Sequence, residues 1–224
     1  MLELSISVVI SCRNLHQYLP DCVESLNAQT MRATEIIIVH DNCTPPPVFP
    51  NTTTVVRDTH RGVADTRNEG ARLATSETLL FVDADDALEE HFIEAMIKVK
   101  EKTKAQIIYP NVLLWSYWHK EVKLKNAWYE SANKITLKNM LKFNQIVVSS
   151  LIDRDLFFKV GGMPNLPILE DYSMWLKCIK VGAKFAKSPH SVLKYRQRQE
   201  GRNRRDNDLK NKFYYQIKSE YENL

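Results

Sequence analysis

Three aspartates, Asp83, Asp85 and Asp86, directly follow an apolar run that is typical of a buried strand. Carboxylates this close repel one another unless a cation or a hydrogen-bond network relieves the repulsion. Their oxygens are ligands that Mg²⁺ and Mn²⁺ prefer, often together with substrate phosphates, so the Asp-x-Asp turn predicts a site for a metal diphosphate. The alternative is that these acids cap a helix beginning near Leu88 and are stabilised by its dipole. The turn alone favours capping.

Two other pairs of residues have types suited to chemistry. Arg67 and Asn68 lie on a predicted helix after Gly62, and a guanidinium group there can bind phosphate through paired hydrogen bonds. A solvated arginine is the alternative interpretation. Glu170 and Asp171 stand at a helix start, where either is a capping acid or a base that takes a proton from an acceptor hydroxyl. Taken alone, this position favours capping.

The elements that must position these residues alternate between strand and helix in the first half of the chain. The predicted strands are Leu4 to Ile10, Glu35 to Val39, Thr54 to Val56 and Thr78 to Val82; the predicted helices contain Leu19 to Leu26, span Gly62 to Ala74 and begin near Leu88. Such alternation favours a mainly parallel sheet flanked by helices, with ligands at the carboxyl ends of the strands. The loops beginning at Ser11, Asp41 and Asp83 lie at such ends.

The pattern is looser beyond Gln106. The segment Ile107 to Trp118 is rich in aromatic and apolar residues, and Gln145 to Ile152 predicts a strand. Helices are predicted over Asp171 to Val181 and Asp206 to Tyr221. No linker is long enough to divide independent domains, so we expect one α/β domain over residues 1–224.

The composition, with 44% hydrophobic and 26% charged residues, is that of a globular protein and excludes a disordered or fibrous chain. The apolar runs fall far short of the about 20 residues that cross a bilayer, and the N-terminus lacks a signal-peptide pattern, so we expect a cytoplasmic protein without a transmembrane segment. The cysteines show neither C-x-x-C spacing nor a histidine at zinc-site spacing, so we expect small buried hydrophobic residues and assign them no chemistry. They are Cys12, Cys22, Cys43 and Cys178.

The positive charge is concentrated near the C-terminal end. Between Lys194 and Lys212 there are eight basic and three acidic residues, a local net charge of +5 in a chain of net charge +4. This segment predicts contact with an anionic ligand or polymer, and the alternative is a solvated basic stretch.

Four groups of residues stand in an order and at spacings that together are specific. They are Ser7 to Asn14 with Ser25 to Thr30; Glu35 to Asp41; Gly62 to Ala64 and Thr66 to Gly70 with Phe81 to Asp86; and Gly161-Gly162 with Leu169 to Asp171. With these segments the chain resembles the inverting nucleotide-sugar glycosyltransferases of family 2, which have the GT-A fold. The resemblance runs from Ile6 to about Arg205, nearly the whole chain.

The resemblance implies a role for each matching position. Asp41 should bind the nucleobase, Arg67 should bind the nucleotide, and Asp83 should bind the ribose region. Asp85 should ligate Mn²⁺ or Mg²⁺, and Asp171 should be the general base. The other residues expected to bind the donor are Ser11, Arg13 and Arg198. The donor is expected to be a UDP-sugar carrying a hexose. The resemblance also implies a nucleotide-sugar-binding half at residues 1–105, an acceptor-binding half at residues 106–205 and a C-terminal helix at residues 206–224.

Three positions depart from the family pattern. Arg13 stands where many members have an aromatic residue that stacks on the base, His40 replaces the first aspartate of a pair, and Arg198 replaces a histidine that can complete the metal site. Arginine cannot ligate a cation, but it can pair with a diphosphate. These departures leave a catalytically silent nucleotide-sugar-binding module as the alternative, although Asp85 and Asp171 are both present. A nucleotidyltransferase ranks last because it gives Asp171 no role.

The sequence has no motif that identifies the acceptor or the oligomeric state. A saccharide, a lipid-linked acceptor and nucleic acid all remain open, and the basic segment 194–212 motivates a hydroxymethylated DNA base as one version. Five aromatic residues form either a sugar-stacking wall or part of the core, with core favoured for at least half; they are Trp115, Tyr117, Trp118, Trp128 and Tyr129.

Overall fold

The computed structural model describes residues 4–43, 48–115, 127–198 and 207–221. Within these residues one mixed sheet is flanked by helices. The strands are β1 (Ile6–Cys12), β2 (Glu35–Asp41), β3 (Thr53–Arg57), β4 (Thr78–Asp83), β5 (Ala87–Leu88), β6 (Ile107–Trp115), β7 (Ala127–Tyr129), β8 (Leu151–Asp153) and β9 (Phe185–Arg196). The helices are α1 (Leu19–Asn27), α2 (Val63–Leu73), α3 (Phe92–Thr103), α4 (Leu137–Met140), α5 (Arg154–Lys159), α6 (Glu170–Lys180) and α7 (Asn207–Ser219).

The strand order is β3-β2-β1-β4-β8-β6-β9-β5, with β7 added beside β6. Strands β1 to β4 are parallel, and so is the long pairing of β6 with β9; β8 runs antiparallel between β4 and β6. The mainly parallel α/β sheet expected from the sequence is therefore confirmed. Since β1, β2 and β4 point the same way, their carboxyl ends meet at one edge of the sheet.

Two apolar layers cover the two faces of the sheet. Alternate residues of β1 point to opposite faces: Val9 packs in the layer that includes α2 and α6, whereas Val8 and Ile10 pack in the layer that includes α1 and α3. A strand that is buried on both faces requires a nearly continuous apolar sequence. This requirement explains why β1, β2 and β4 could be predicted from apolar runs in the sequence.

Two predictions about elements were wrong. Most of Gln145 to Ile152 is irregular, with strand geometry only at β8, because local hydrogen bonds such as Ile146 N–H to Asn144 Oδ1 and Ser150 Oγ to Val147 O replace strand pairing. The helix expected near Leu88 begins at Phe92, because Leu88 belongs to the short strand β5, which pairs with β9.

Helix α2 packs closely on β1 at Gly70, which is buried. A Cβ atom on this residue would overlap Cγ1 of Val9. Gly70→Ala is therefore expected to lower the free energy of unfolding by about 1–3 kcal/mol, although alanine favours a helix. Urea denaturation checks this value. In the Gly70→Ala/Val9→Ala double variant the loss should be smaller than the sum of the two single losses, and strict additivity would contradict the close contact.

Glu35 begins β2 and accepts hydrogen bonds from the Ser7 hydroxyl at 2.6 Å and from the Thr75 N–H at 2.7 Å. Burial alone would raise the pKa of Glu35, but these donors hold it below its ordinary value. A lowered folded-state pKa stabilises the protein above the unfolded-state pKa, and this contribution is lost as pH falls through the folded-state value.

Glu35→Gln should therefore cost about 1 kcal/mol at pH 7, and the difference from the wild type should shrink below about pH 4.5. Urea denaturation at several pH values measures this difference. The exposed Glu77→Gln is the control and should show little change at any pH. A difference that stays constant or grows in acid would contradict the assigned role of Glu35.

Among the described residues, none of the helices combines the length and the apolar character that crossing a bilayer requires.

Candidate functional site

The carboxyl ends of β1 and β4 bring together two of the expected donor-binding residues. Ser11 and Asp83 are directly paired in the parallel register, and the Ser11 hydroxyl donates to Asp83 Oδ1 at 3.3 Å. The Asp83 side chain keeps 28% of its surface exposed. Asp83 is therefore held at the sheet edge and remains accessible to a ligand.

Arg67 lies at the centre of the site, and its expected contact with the nucleotide stays a prediction. Its guanidinium group is buried and donates to Asp83 Oδ1 at 2.5 Å through Nη2 and to Glu170 Oε1 at 2.6 Å through Nη1. The two carboxylates raise the pKa of Arg67 despite its burial, so the side chain stays charged. Arg67 thus joins the end of β4 to the start of α6, and this side chain is a bridge within the protein.

Asn68 positions the loop that leads to α6. Its side-chain amide donates to Met163 O at 2.8 Å and accepts from Met163 N–H at 2.9 Å. A Cβ atom at the preceding Gly162, whose φ is +68°, would lie 2.7 Å from Asn68 Oδ1. This close approach requires glycine at position 162, and it links the Arg67-Asn68 pair to the Gly161-Gly162 pair.

Asp171 lies in the first turn of α6 and is partly exposed. Its Oδ1 accepts from the Tyr172 N–H at 2.7 Å, and its Oδ2 accepts from Asn144 Nδ2 at 3.3 Å. The contact with the Tyr172 N–H, in the first turn of the helix, is the kind that the capping interpretation predicts. The neighbouring Glu170 is buried against Arg67, so Asp171 is the more exposed of the two acids.

The acids after β4 do not cap α3, because β5 and its flanking residues lie between them and Phe92. Asp85 Oδ2 accepts from Arg198 Nε at 2.5 Å, and Asp86 Oδ1 accepts from the Arg196 N–H at 2.9 Å. Burial and the neighbouring Asp83 raise the pKa of Asp85, while Arg198 lowers it. The hydrogen bonds from Arg196 and Arg198 thus relieve part of the repulsion among the three aspartates.

The acidic turn fits a hard divalent cation. Asp83 and Asp85 offer carboxylate oxygens, which Mg²⁺ and Mn²⁺ prefer, and their mutual repulsion opposes ionisation of Asp85. A cation beside Asp85 would favour its ionised form. Arg198 occupies one oxygen of Asp85, so a metal at Asp85 and the Arg198 ion pair compete for that carboxylate.

Asp41 is buried at the end of β2 and organises the loop that precedes α2. Its carboxylate accepts from the Arg61 N–H at 2.9 Å, the Gly62 N–H at 3.1 Å and His60 Nδ1 at 2.5 Å. Burial alone would raise the pKa of Asp41, but these donors hold it below its ordinary value. Arg13 contacts the same loop, with Nη1 2.6 Å from His60 Nε2. The expected nucleobase contacts of Asp41 and Arg13 stay predictions.

The structure describes five basic residues of segment 194–212; three of them form ion pairs, and the other two, Lys210 and Lys212, lie on α7. Lys194 contacts Glu89 at 2.8 Å, Arg196 contacts Asp21 at 2.7 Å, and Arg198 contacts Asp85. Arg202, Arg204 and Arg205 lie outside the described residues.

The aromatic residues are divided between internal packing and the surface. Trp115 lies against the Arg196 guanidinium, 4.3 Å from its ring centroid, whereas Trp128 and Tyr129 on β7 are 56% and 40% exposed. Tyr117 and Trp118 lie outside the described residues.

The prediction that the cysteines lack histidine partners was wrong for two of them. The thiols of Cys12 and Cys43 share a cluster with the imidazoles of His16 and His40. All four cysteines are free, and Cys12, Cys22 and Cys178 are buried as expected. The spacings C-x-x-x-H and H-x-x-C were visible in the sequence, but the register that brings the two halves together was not.

Comparison with known proteins assigns the class. A family model described as glycosyl transferase family 2 matches residues 7–157, more than half of the chain, and these residues include Arg67, Asp83 and Asp85. The chain therefore belongs to glycosyl transferase family 2, as the sequence resemblance implied. Asp171 and Arg198 lie beyond the matched residues.

Two relatives and one solved structure are similar to this chain over most of its length. It is 30% identical over 192 residues to an uncharacterized glycosyltransferase of Haemophilus influenzae, covering 78% of this chain and 62% of the relative. It is 25% identical over 200 residues to a PGL/p-HBAD biosynthesis glycosyltransferase of Mycobacterium tuberculosis, covering 84% and 74%. The crystal structure of S. aureus TarS 1–349 in complex with UDP-GlcNAc has a TM-score of 0.74 at 16% identity, covering 96% of this chain and 64% of that one.

The TarS likeness confirms the GT-A-like fold. The chain spans less than two thirds of the length of the H. influenzae relative and of that TarS chain.

Proposed function

We propose that this family 2 glycosyltransferase is an inverting enzyme that moves a hexose from a UDP-sugar to an acceptor hydroxyl, with help from Mn²⁺ or Mg²⁺. The observation that carries the proposal is the buried Arg67 bridge between Asp83 and Glu170. It joins the acids at the carboxyl end of β4 to the helix start that presents Asp171. Groups suited to a donor diphosphate and a group suited to an acceptor proton thus belong to one connected site.

In the proposed reaction the acceptor oxygen attacks the anomeric carbon of the sugar as Asp171 takes the hydroxyl proton. The bond between that carbon and the diphosphate oxygen breaks, and the nucleoside diphosphate leaves with the bonding electron pair. Asp171 then releases the proton to water. Because attack and departure occur on opposite sides of the carbon, the configuration inverts without a covalent sugar intermediate.

Asp85, with Asp83 beside it, would hold the metal. A bound Mn²⁺ or Mg²⁺ supplies positive charge that neutralises the departing diphosphate. Arg198, which pairs with Asp85, would turn to the diphosphate when the donor and metal bind. The choice of UDP is supported by TarS, whose structures were determined in complex with UDP and with UDP-GlcNAc.

The acceptor is proposed to carry a saccharide. The exposed rings of Trp128 and Tyr129 on β7 are of the kind that pack on sugar faces. Lys194, Arg196 and Arg198 pair with acids of this chain. Their ion pairs make these three cations less available to the phosphates of duplex DNA. Lipid-linked saccharides fit the proposal as well as free ones.

The proposal is tested by release of nucleoside diphosphate from a panel of nucleotide sugars, with Mn²⁺, Mg²⁺ or a chelator. Acceptor arms contain simple saccharides, lipid-linked saccharides, and hydroxymethylated or unmodified duplex DNA. Metal-dependent release that a saccharide stimulates supports the proposal, whereas stimulation by hydroxymethylated DNA alone would reassign the acceptor. Donor binding without release in any arm would favour a silent binding module.

Replacing Asp85 with Asn should remove the metal stimulation of this release. The lost charge stabilisation amounts to several kcal/mol, or about 100-fold or more in rate. The exposed Asp58→Asn serves as the control and should keep the metal response of the wild type. An Asp85→Asn variant that is folded and still fully activated by Mn²⁺ would remove Asp85 from the metal site.

A further inference from the structure

Four side chains at the ends of β1 and β2 form a cluster that the proposed transfer reaction does not use. Cys12 ends β1 and pairs in register with His40 on β2; His16 and Cys43 follow in the adjoining loops. One ligand atom from each residue can be chosen so that all four lie within 4.8 Å of one another. Cys43 Sγ lies 3.8 Å from His40 Nδ1.

We infer that Cys12, His16, His40 and Cys43 form a structural zinc site. Two sulfur and two nitrogen ligands are a set that zinc takes in closed tetrahedral sites. With metal–sulfur bonds of about 2.3 Å and metal–nitrogen bonds of about 2.0 Å, tetrahedral ligands lie about 3.3–3.8 Å apart. Zinc binding would therefore draw the ligand atoms, which now lie within 4.8 Å of one another, closer together.

The histidines provide a second, independent observation. His40 is fully buried, and the Nε2 atoms of both His40 and His16 have no hydrogen-bond partner among the described residues. A buried polar group without a partner destabilises the folded protein. Coordination of a metal through Nε2 would give each imidazole the partner that the described residues do not supply.

This site differs in chemistry from the acidic turn. Asp83 and Asp85 offer hard oxygen ligands suited to Mg²⁺ or Mn²⁺, whereas the cluster offers thiolates and imidazoles and contains no carboxylate. Four protein ligands leave no open position, so the zinc would have a structural role and would not activate water.

The metal would fix the wall of the expected nucleobase region. It joins the end of β1 to the loop after β2. Asp41, which follows His40, holds the loop of His60, Arg61 and Gly62. Arg13, which follows Cys12, contacts the same loop. Zinc binding is measured by metal content and stability, so its outcome does not depend on whether the protein transfers a sugar.

The test uses the full chain purified under reducing conditions. Elemental analysis should find about one zinc ion per chain. Replacement of zinc by Co²⁺ should produce the visible absorption of a tetrahedral thiolate site, and removal by a zinc chelator should lower the melting temperature. Cys43→Ala should lose the zinc and the cobalt spectrum, whereas the control Cys178→Ala, at a buried cysteine on α6, should keep both.

His16→Gln provides a second variant at a partly exposed position, and circular dichroism establishes that each variant is folded. It should bind Co²⁺ more weakly and with an altered spectrum. The inference is overturned if the folded, reduced wild type takes up neither zinc nor cobalt. It is also overturned if Cys43→Ala binds zinc as the wild type does, or if Cys12 and Cys43 form a disulfide that persists in the reduced preparation.

Discussion

Asp171→Asn is expected to abolish sugar transfer while leaving donor binding nearly unchanged. Asparagine keeps an oxygen that can accept from the Tyr172 N–H, so the first turn of α6 should persist. It cannot take the acceptor proton, and loss of a general base costs about 10²- to 10⁴-fold in rate. Steady-state transfer assays and calorimetric titration of the donor measure the two effects separately.

The matched control is Asp155→Asn, an exposed aspartate in the first turn of α5. This variant should keep wild-type transfer. If Asp171→Asn retained more than a small fraction of wild-type activity, the base would have to be another residue. If it lost donor binding in parallel with activity, Asp171 would belong to the donor pocket.

Arg67→Met is expected to have the largest effect on stability. The side chain pairs with Glu170, whose side chain is only 1% exposed, and its removal would leave that buried carboxylate without its arginine. Breaking one partner of a buried ion pair costs about 3–5 kcal/mol. Urea denaturation should show this loss, and the exposed Arg72→Met on the same helix should show almost none.

A double variant separates the bridge from a direct nucleotide contact. Arg67→Met/Glu170→Met places two apolar side chains where the ion pair was, and such replacements commonly recover much of the lost stability. Transfer should stay impaired, because Asp83 would no longer be tied to α6. If Arg67 instead contacted the nucleotide directly, the single variant would weaken donor binding without a large loss of stability.

The sequence was most informative where one local signal decides the structure. The apolar runs of β1, β2 and β4 identified the parallel half of the sheet, and the polar residues Ser11, Asp41 and Asp83 lie at the carboxyl ends of these strands as predicted. The strand expected over Gln145 to Ile152 was wrong because serine and asparagine side chains there bond to nearby backbone groups. Helix and strand propensities do not include this competition between side chains and strand pairing for backbone hydrogen bonds.

Contacts between distant residues were not predictable from one sequence. Arg67 and Glu170 are 103 positions apart, and the neighbouring Asn68 contacts the loop at Met163 that leads to α6. The same holds for Cys12 and His40, which meet because β1 and β2 pair in one particular register. The family resemblance supplied roles for single residues, but it did not supply these partnerships.

The most direct test of the central claim is a proton NMR time course of the wild-type chain with a UDP-sugar, Mg²⁺ and a saccharide acceptor. One experiment follows consumption of the donor and the configuration of the new anomeric centre. An inverting transferase consumes the donor, and its product first appears with the anomeric configuration opposite to that of the donor. Product with retained configuration, or a folded protein that binds the donor but never consumes it with any acceptor, would contradict inverting transfer by this protein.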